Sequence, residues 1–120
     1  MILLLEDDNA FREALEILLE CDGHSVLAFP SPANVPALDT LRGLTALIVD
    51  FEMPTENGLS FADRFHEAHP HVPVIMVSAH DGQKLETAVA QRKYLTVERK
   101  PVEYERIAAL LPPGLQTAGS

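Results

Sequence analysis

The sequence has little cysteine, little positive charge and no long apolar segment, and each shortage excludes a class of protein. The single cysteine, Cys21, cannot form a disulfide within the chain, which excludes a disulfide-stapled scaffold. Nine basic residues against 18 acidic ones give a formal net charge of -9, which disfavours a surface that neutralises nucleic-acid phosphates. No apolar run approaches the roughly 18 residues that a membrane-spanning helix needs. We therefore expect a cytoplasmic protein that binds neither nucleic acid nor membrane directly.

The composition that remains is that of an ordinary folded domain. The chain has 120 residues, of which 47% are hydrophobic and 22% charged, so it can bury a core. We expect one domain followed by a flexible tail or linker at residues 112–120, which begins Pro-Pro-Gly.

Short apolar runs bounded by polar or turn residues predict five strands. Three of the runs are continuous, which is typical of strands buried on both faces of a parallel sheet, and two are weaker. The predicted strands are residues 2–5, 25–29, 46–49, 74–77 and 94–98.

Apolar residues at helical spacing predict a helix after each strand. The expected helices lie after Asn9, within residues 31–41, between Gly58 and His69, around residues 85–89 and around residues 107–111. The second is the weakest, because Pro32 and Pro36 both fall within it, and we expect Pro36 to shorten it. Five alternations of strand and helix predict a doubly wound α/β fold with a parallel sheet.

Polar residues follow four of the predicted strands, at the edge where such folds bind ligands. They are Glu6 and Asp7 after the first strand, Asp50 after the third, Ser78 after the fourth and Lys100 after the fifth. Three carboxylates this close repel one another unless a cation binds or a pKa rises. Oxygen ligands without cysteine indicate a hard cation, magnesium or alternatively manganese.

Four short motifs, in this order and spacing, resemble the CheY-like receiver domain of response regulators. They are Glu6-Asp7, Asp50 followed by Met53-Pro54 and Asn57-Gly58, Ser78-Ala79 and Lys100-Pro101. The resemblance covers residues 1–111, which we take as a receiver domain. It implies a flavodoxin-like, doubly wound five-stranded parallel sheet in the order 2-1-3-4-5 with five helices.

The resemblance implies a magnesium site built from the acidic residues. Asp7 is expected to bind the ion directly, together with Asp50, while Glu6 supports it mostly through water. Glu52 is expected to contribute its backbone carbonyl. Manganese would suit the same oxygen ligands.

The resemblance also implies that Asp50 accepts a phosphoryl group from a kinase phosphohistidine or a small phosphodonor. Ser78 then donates a hydrogen bond to that group, and Lys100 places its ammonium on another phosphoryl oxygen. The peptide before Pro101 is expected to be cis. Such a domain is a signalling switch that catalyses only its own phosphorylation and dephosphorylation, and it is no conventional enzyme.

The implied partners are a sensor histidine kinase or phosphotransfer protein and an output that the sequence does not identify. The resemblance also allows a homodimer through the face of the fourth helix, fifth strand and fifth helix. Glu52 and His80 occupy positions where the family tunes the lifetime of the phosphorylated state. Val97 departs from the family, which often has an aromatic switch residue there.

Two other classes compete with this interpretation. A phosphatase of the haloacid dehalogenase type uses a similar set of residues, but its nucleophile precedes its acidic pair, whereas here Glu6-Asp7 comes first. A degenerate receiver that binds a partner without phosphorylation remains the other alternative. Zinc binding by His66 and His69 is disfavoured, because their spacing is one residue short of the zinc-protease motif.

Overall fold

The computed structural model describes residues 1–79 and 83–112. Five strands form one parallel sheet in the order β2-β1-β3-β4-β5, as predicted. The strands are β1 (Ile2–Leu5), β2 (Val26–Phe29), β3 (Ala46–Asp50), β4 (Val74–Ser78) and β5 (Leu95–Arg99). The doubly wound fold and its strand order are therefore confirmed.

Helices cover both faces of this sheet. They are α1 (Asn9–Cys21), α2 (Gly58–Ala68), α3 (Gln83–Ala90) and α4 (Tyr104–Ala108). Within the described ranges, no helix is long and apolar enough to cross a membrane. The expected tail at residues 112–120 lies almost wholly outside the described residues.

Alternate residues of each central strand face opposite sides of the sheet and so build two cores. Leu3 and Leu5 join the core under α2 and α3, whereas Ile2 and Leu4 join the core under α1 and α4. All residues of β1, β3 and β4 are buried, which explains why these strands read as continuous apolar runs.

The helix predicted within residues 31–41 is wrong. Two single 3-10 turns stand there instead, at Pro32–Asn34 and Leu38–Thr40. Pro36 has no amide hydrogen and disfavours a helical residue before it, and Val35 is accordingly extended, with ψ of 133°. The described residues thus contain four α-helices instead of the five predicted.

Side-chain caps fix where α1 and α2 begin. Asp8 accepts a hydrogen bond from the amide of Phe11, and Asn57 accepts one from the amide of Ser60 at 2.8 Å. Each cap lies in a loop that leaves the carboxyl end of a strand. The two helices therefore begin beside the edge of the sheet that carries the polar residues.

Candidate functional site

Four strands deliver polar side chains to the carboxyl edge of the sheet. Asp50 and Ser78 are the last residues of β3 and β4, and both are buried. Glu6 directly follows β1, and Lys100 directly follows β5. The amide of Lys100 donates to the carbonyl of Ser78 at 2.8 Å, which ties these two strand ends together.

The three predicted acidic residues form one cluster. One carboxylate oxygen each from Glu6, Asp7 and Asp50 lies within 4.8 Å of the other two. Glu6 and Asp50 are only 1% and 6% exposed, whereas Asp7 is exposed to solvent. A set of three carboxylates, open on one side, suits a hard divalent cation that keeps part of its water shell. The residues present therefore fit a magnesium ion.

Lys100 lies between the two buried carboxylates. Its Nζ donates to Oε1 of Glu6 at 2.7 Å and to Oδ2 of Asp50 at 3.2 Å. Burial alone would lower the pKa of Lys100, but the hydrogen bond and charge of Glu6, helped by Asp50, raise it above its ordinary value. The site thus holds a permanent cation within reach of the Asp50 carboxylate.

Glu6 has the most perturbed acidity in this cluster. Burial, together with the hydrogen bond and charge of Asp50, raises the pKa of Glu6 to about 8 against the opposing effect of Lys100. Even with Glu6 protonated, the carboxylates of Asp7 and Asp50 outnumber the single ammonium group. The excess negative charge is the electrostatic reason that the cluster favours an added cation.

The loop after β3 approaches Asp50 closely and fixes its side chain. The amide of Glu52 donates to Oδ1 of Asp50 at 3.2 Å, and the amide of Gly58 donates to the carbonyl of Phe51 at 2.7 Å. A Cβ on Gly58 would lie 2.3 Å from the carbonyl oxygen of Asp50. Gly58 opens α2 as predicted, but the sequence did not show that this close approach requires glycine.

Two predictions beside the pocket have different outcomes. The peptide between Lys100 and Pro101 is cis, as expected. His80 lies outside the described residues, so its place beside the pocket stays a prediction.

Glu52 and Val97 lie where the sequence predicted, in the loop after the third strand and in the fifth strand. Glu52 has an exposed side chain in the loop after β3, next to the pocket. Val97 lies in β5 and lines a surface hollow with Leu85 and Val89 of α3. Val97, where the resemblance led us to expect an aromatic residue, thus faces the groove between α3 and β5.

Sequence reasoning missed two residues of α1 that touch the site. Nη1 of Arg12 donates to the carbonyl of Glu6 at 2.8 Å, and the ring of Phe11 lies 4.7 Å from Nζ of Lys100. Both follow the acidic pair by one helical turn. This spacing could have indicated both residues from the sequence, because a helix capped by Asp8 places its first turn beside the loop that precedes it.

A doubly wound parallel sheet with carboxylates and a lysine at its carboxyl edge places the chain in the class of α/β domains that bind ligands at strand ends. The sequence profile of the response regulator receiver domain matches residues 2–111. The chain therefore belongs to the response regulator receiver domain family.

Individual relatives agree with this assignment. The chain is 30% identical over 119 residues to the response regulator protein TodT of Pseudomonas putida, covering 98% of this chain and 52% of TodT. It is 28% identical over 108 residues to the DNA-binding transcriptional regulator NtrC of Klebsiella pneumoniae, covering 90% of this chain and 23% of NtrC. The chain thus spans about half or less of these two relatives.

A solved structure agrees at the level of the fold. The crystal structure of a response regulator receiver domain protein from Clostridium thermocellum superimposes with a TM-score of 0.78 at 24% identity. The superposition covers 91% of this chain and 88% of that one. The similarity to a CheY-like receiver fold therefore extends over nearly the whole described domain.

Proposed function

We propose that this receiver domain accepts a phosphoryl group on Asp50 from a histidine kinase or phosphotransfer protein, and that magnesium is required. The observation that carries the proposal is the position of Lys100, whose ammonium group contacts both Asp50 and Glu6 at the end of the central strand. This ammonium group offsets part of the charge of two buried carboxylates and lies where a group bound to Asp50 would arrive. It is suited to neutralise an arriving phosphoryl group.

The transfer itself needs little from the protein beyond alignment and charge. One carboxylate oxygen of Asp50 forms a bond to phosphorus, and the bond from phosphorus to the donor histidine nitrogen breaks, with its electron pair staying on the imidazole. Lys100 stabilises the charge on one phosphoryl oxygen, and the hydroxyl of Ser78 donates to another. The domain thus catalyses only changes to its own phosphorylation state.

The metal would be held directly by Asp7, Asp50 and the backbone carbonyl of Glu52, and Glu6 would support it mostly through water. When bound, it supplies positive charge to the phosphoryl oxygens. The support for this assignment is the cluster of three carboxylate oxygens within 4.8 Å. Asp7 is the exposed member of the cluster, so it can bind an ion that remains partly hydrated.

Beryllofluoride, a mimic of the phosphoryl group, tests the proposal without turnover. We expect beryllofluoride with magnesium to shift the amide NMR signals of Asp50, Ser78 and Lys100, and we expect Asp50→Asn to give no response. Asp39→Asn is the matched control, since Asp39 is an exposed carboxylate away from the site. An unresponsive wild-type protein would instead favour the degenerate receiver.

We propose that a partner, rather than this domain itself, produces the response to phosphorylation. NtrC is a DNA-binding transcriptional regulator, but the match covers only 23% of that protein. With a net charge of -9, this chain is unsuited to bind DNA directly, so we propose that it acts through an attached or separate partner. A cytoplasmic location stays a prediction.

We further propose that the face formed by α3, β5 and α4 mediates homodimer formation. Alternating charges support this idea, since Arg99 pairs with Glu86 and Arg106 pairs with Glu98 along this face. Such pairs can exchange partners between two copies. Sedimentation with and without beryllofluoride tests it, and a phosphorylated-state mimic that stays monomeric would contradict it.

A further inference from the structure

We propose that Phe11 is a positioning residue that holds the ammonium group of Lys100 and transmits a change in its position to the groove between α1 and α4. The inference rests on the proposed function for the event that moves Lys100. Its basis is the contact between Nζ of Lys100 and the Phe11 ring, at 4.7 Å from the ring centroid. A cation within about 6 Å of an aromatic centroid is attracted by the ring.

The ring completes the surroundings of a flexible side chain. Lysine has a long stem with many rotamers, so two hydrogen bonds alone leave its head poorly fixed. The Lys100 ammonium contacts Glu6 at 2.7 Å, Asp50 at 3.2 Å and the face of Phe11. Removing the ring leaves the ammonium with Glu6 and Asp50 as its partners among the described residues, and its average position then moves.

The backbone of Phe11 is itself tied to the acidic loop. Its amide donates to Oδ1 of Asp8 at 3.1 Å, and the neighbouring Arg12 donates from Nη1 to the carbonyl of Glu6 at 2.8 Å. The start of α1 is therefore held in a fixed relation to the carboxylates. An aromatic ring on this frame can set the distance between Lys100 and Asp50.

The same ring also reaches the protein surface. Phe11 lines a hollow of about 180 Å³ between α1 and α4, together with Leu15, Val102 and Ile107. Val102 follows Lys100 by two residues, so the chain itself also connects the site to this hollow. If a phosphoryl group draws the ammonium away from Glu6, the contact with the ring changes and the hollow changes with it.

The position that often carries a switch aromatic in similar domains holds Val97 here. Valine offers neither a ring nor a cation contact on β5. Phe11 provides both on the other face of the sheet, where it packs with the core under α1 and α4. The geometry therefore places a connection between site and surface on that face.

Phe11→Leu and Phe11→Tyr test the positioning role. We expect Phe11→Leu to slow labelling by acetyl phosphate about fivefold, which corresponds to the loss of one cation-ring contact, and Phe11→Tyr to restore the rate. The ring-current shift of the Lys100 Cε protons should vanish in Phe11→Leu and persist in Phe11→Tyr. Leu15→Ala is the control, because it weakens the same core without touching Lys100.

The outcomes separate this inference from the proposed function. Wild-type labelling of Phe11→Leu, or equal slowing by Leu15→Ala, would overturn the positioning role. The transmission role requires that beryllofluoride shift the methyl signals of Val102 and Ile107 in the wild type and much less in Phe11→Leu; equal shifts would overturn it. If wild-type Asp50 takes neither phosphate nor beryllofluoride, the proposed function and the transmission role both fail. The Lys100 ring-current shift then still decides the positioning role.

Discussion

The carbonyl oxygen of Asp50 lies 2.3 Å from the point where a Cβ on Gly58 would stand. A carbon and an oxygen that are not bonded cannot lie this close, so the start of α2 can pack against the end of β3 only because residue 58 is glycine. The chain thereby brings the loop of residues 51–57 back over Asp50. This contact connects the fold to the chemistry of the site.

Gly58→Ala should therefore destabilise the protein and disturb the site. The added methyl group meets backbone atoms, which cannot rotate away, and we expect a loss of about 2 to 3 kcal/mol in the free energy of unfolding. Urea denaturation measures this loss. Glu67→Ala, at an exposed position of the same helix, is the control and should cost little. Equal stability of Gly58→Ala and the wild type would show that Gly58 does not pack tightly against the backbone of Asp50.

Magnesium affinity should depend more on Asp7 than on Glu6. Asp7 is assigned a direct bond to the ion, whereas Glu6 is buried and already engaged by Lys100. We expect Asp7→Ala to weaken magnesium binding at least tenfold, about 1.4 kcal/mol, and Glu6→Ala to weaken it less. Magnesium titrations followed by NMR compare the two. Equal losses would mean that the direct ligand has been misidentified.

Asp63 should make stability depend on pH in the acid range. Hydrogen bonds from Arg92, and then from Tyr94, hold the pKa of Asp63 below its ordinary value, although burial opposes them. A carboxylate with a lowered folded-state pKa stabilises the protein above its unfolded pKa of about 3.9, and this stabilisation is lost as the pH falls through the folded value.

Asp63→Asn should therefore cost stability near neutral pH and less in acid. Because 45% of the Asp63 side chain is exposed, solvent screens the pair. We accordingly expect a loss of only about 1 kcal/mol near pH 7, shrinking towards pH 3. Urea midpoints at both pH values measure it, with Asp39→Asn as the control. A difference that does not change with pH would show that the Asp63 charge contributes nothing.

The central strands and the polar edge were readable from the sequence because their signals are local. Runs such as residues 46–49 are apolar throughout, and Asp50 follows at once. The turns at residues 31–41 could not be read in the same way, because the pattern there predicted only a weak helix and Pro36 keeps Val35 extended. Local spacing alone did not decide this segment.

The contacts that set up the site are mostly long-range, and the sequence does not encode their distances directly. Lys100 meets Glu6 across 94 residues, and its contact with Phe11 depends on how α1 and the end of β5 face one another. Lys100 was predicted from its position after the fifth strand, and the Lys100-Pro101 motif supported that prediction. Phe11 follows the acidic pair by one helical turn, but that spacing fits an ordinary core residue of α1 equally well.

The lifetime of the phosphorylated state should depend on Glu52 and His80. Water must approach the phosphoryl group in line with Asp50, so side chains at the entrance block, repel or orient it. Glu52 has an exposed side chain next to the pocket, and His80 follows β4 by two residues. We expect Glu52→Ala with His80→Ala to shift the decay rate about threefold or more, while labelling persists. If the phosphorylated double mutant decays at the wild-type rate, Glu52 and His80 have no role in the lifetime of the phosphorylated state.

The most direct test of the account is the intact mass of the protein after incubation with acetyl phosphate and magnesium. We predict that the wild type gains the mass of one phosphoryl group, that removal of magnesium by a chelator prevents the gain, and that Asp50→Asn does not gain it. Asp39→Asn should be labelled like the wild type. A wild type that stays unlabelled, or an Asp50→Asn protein labelled to the same extent, would contradict the assignment of Asp50 as the phosphate acceptor.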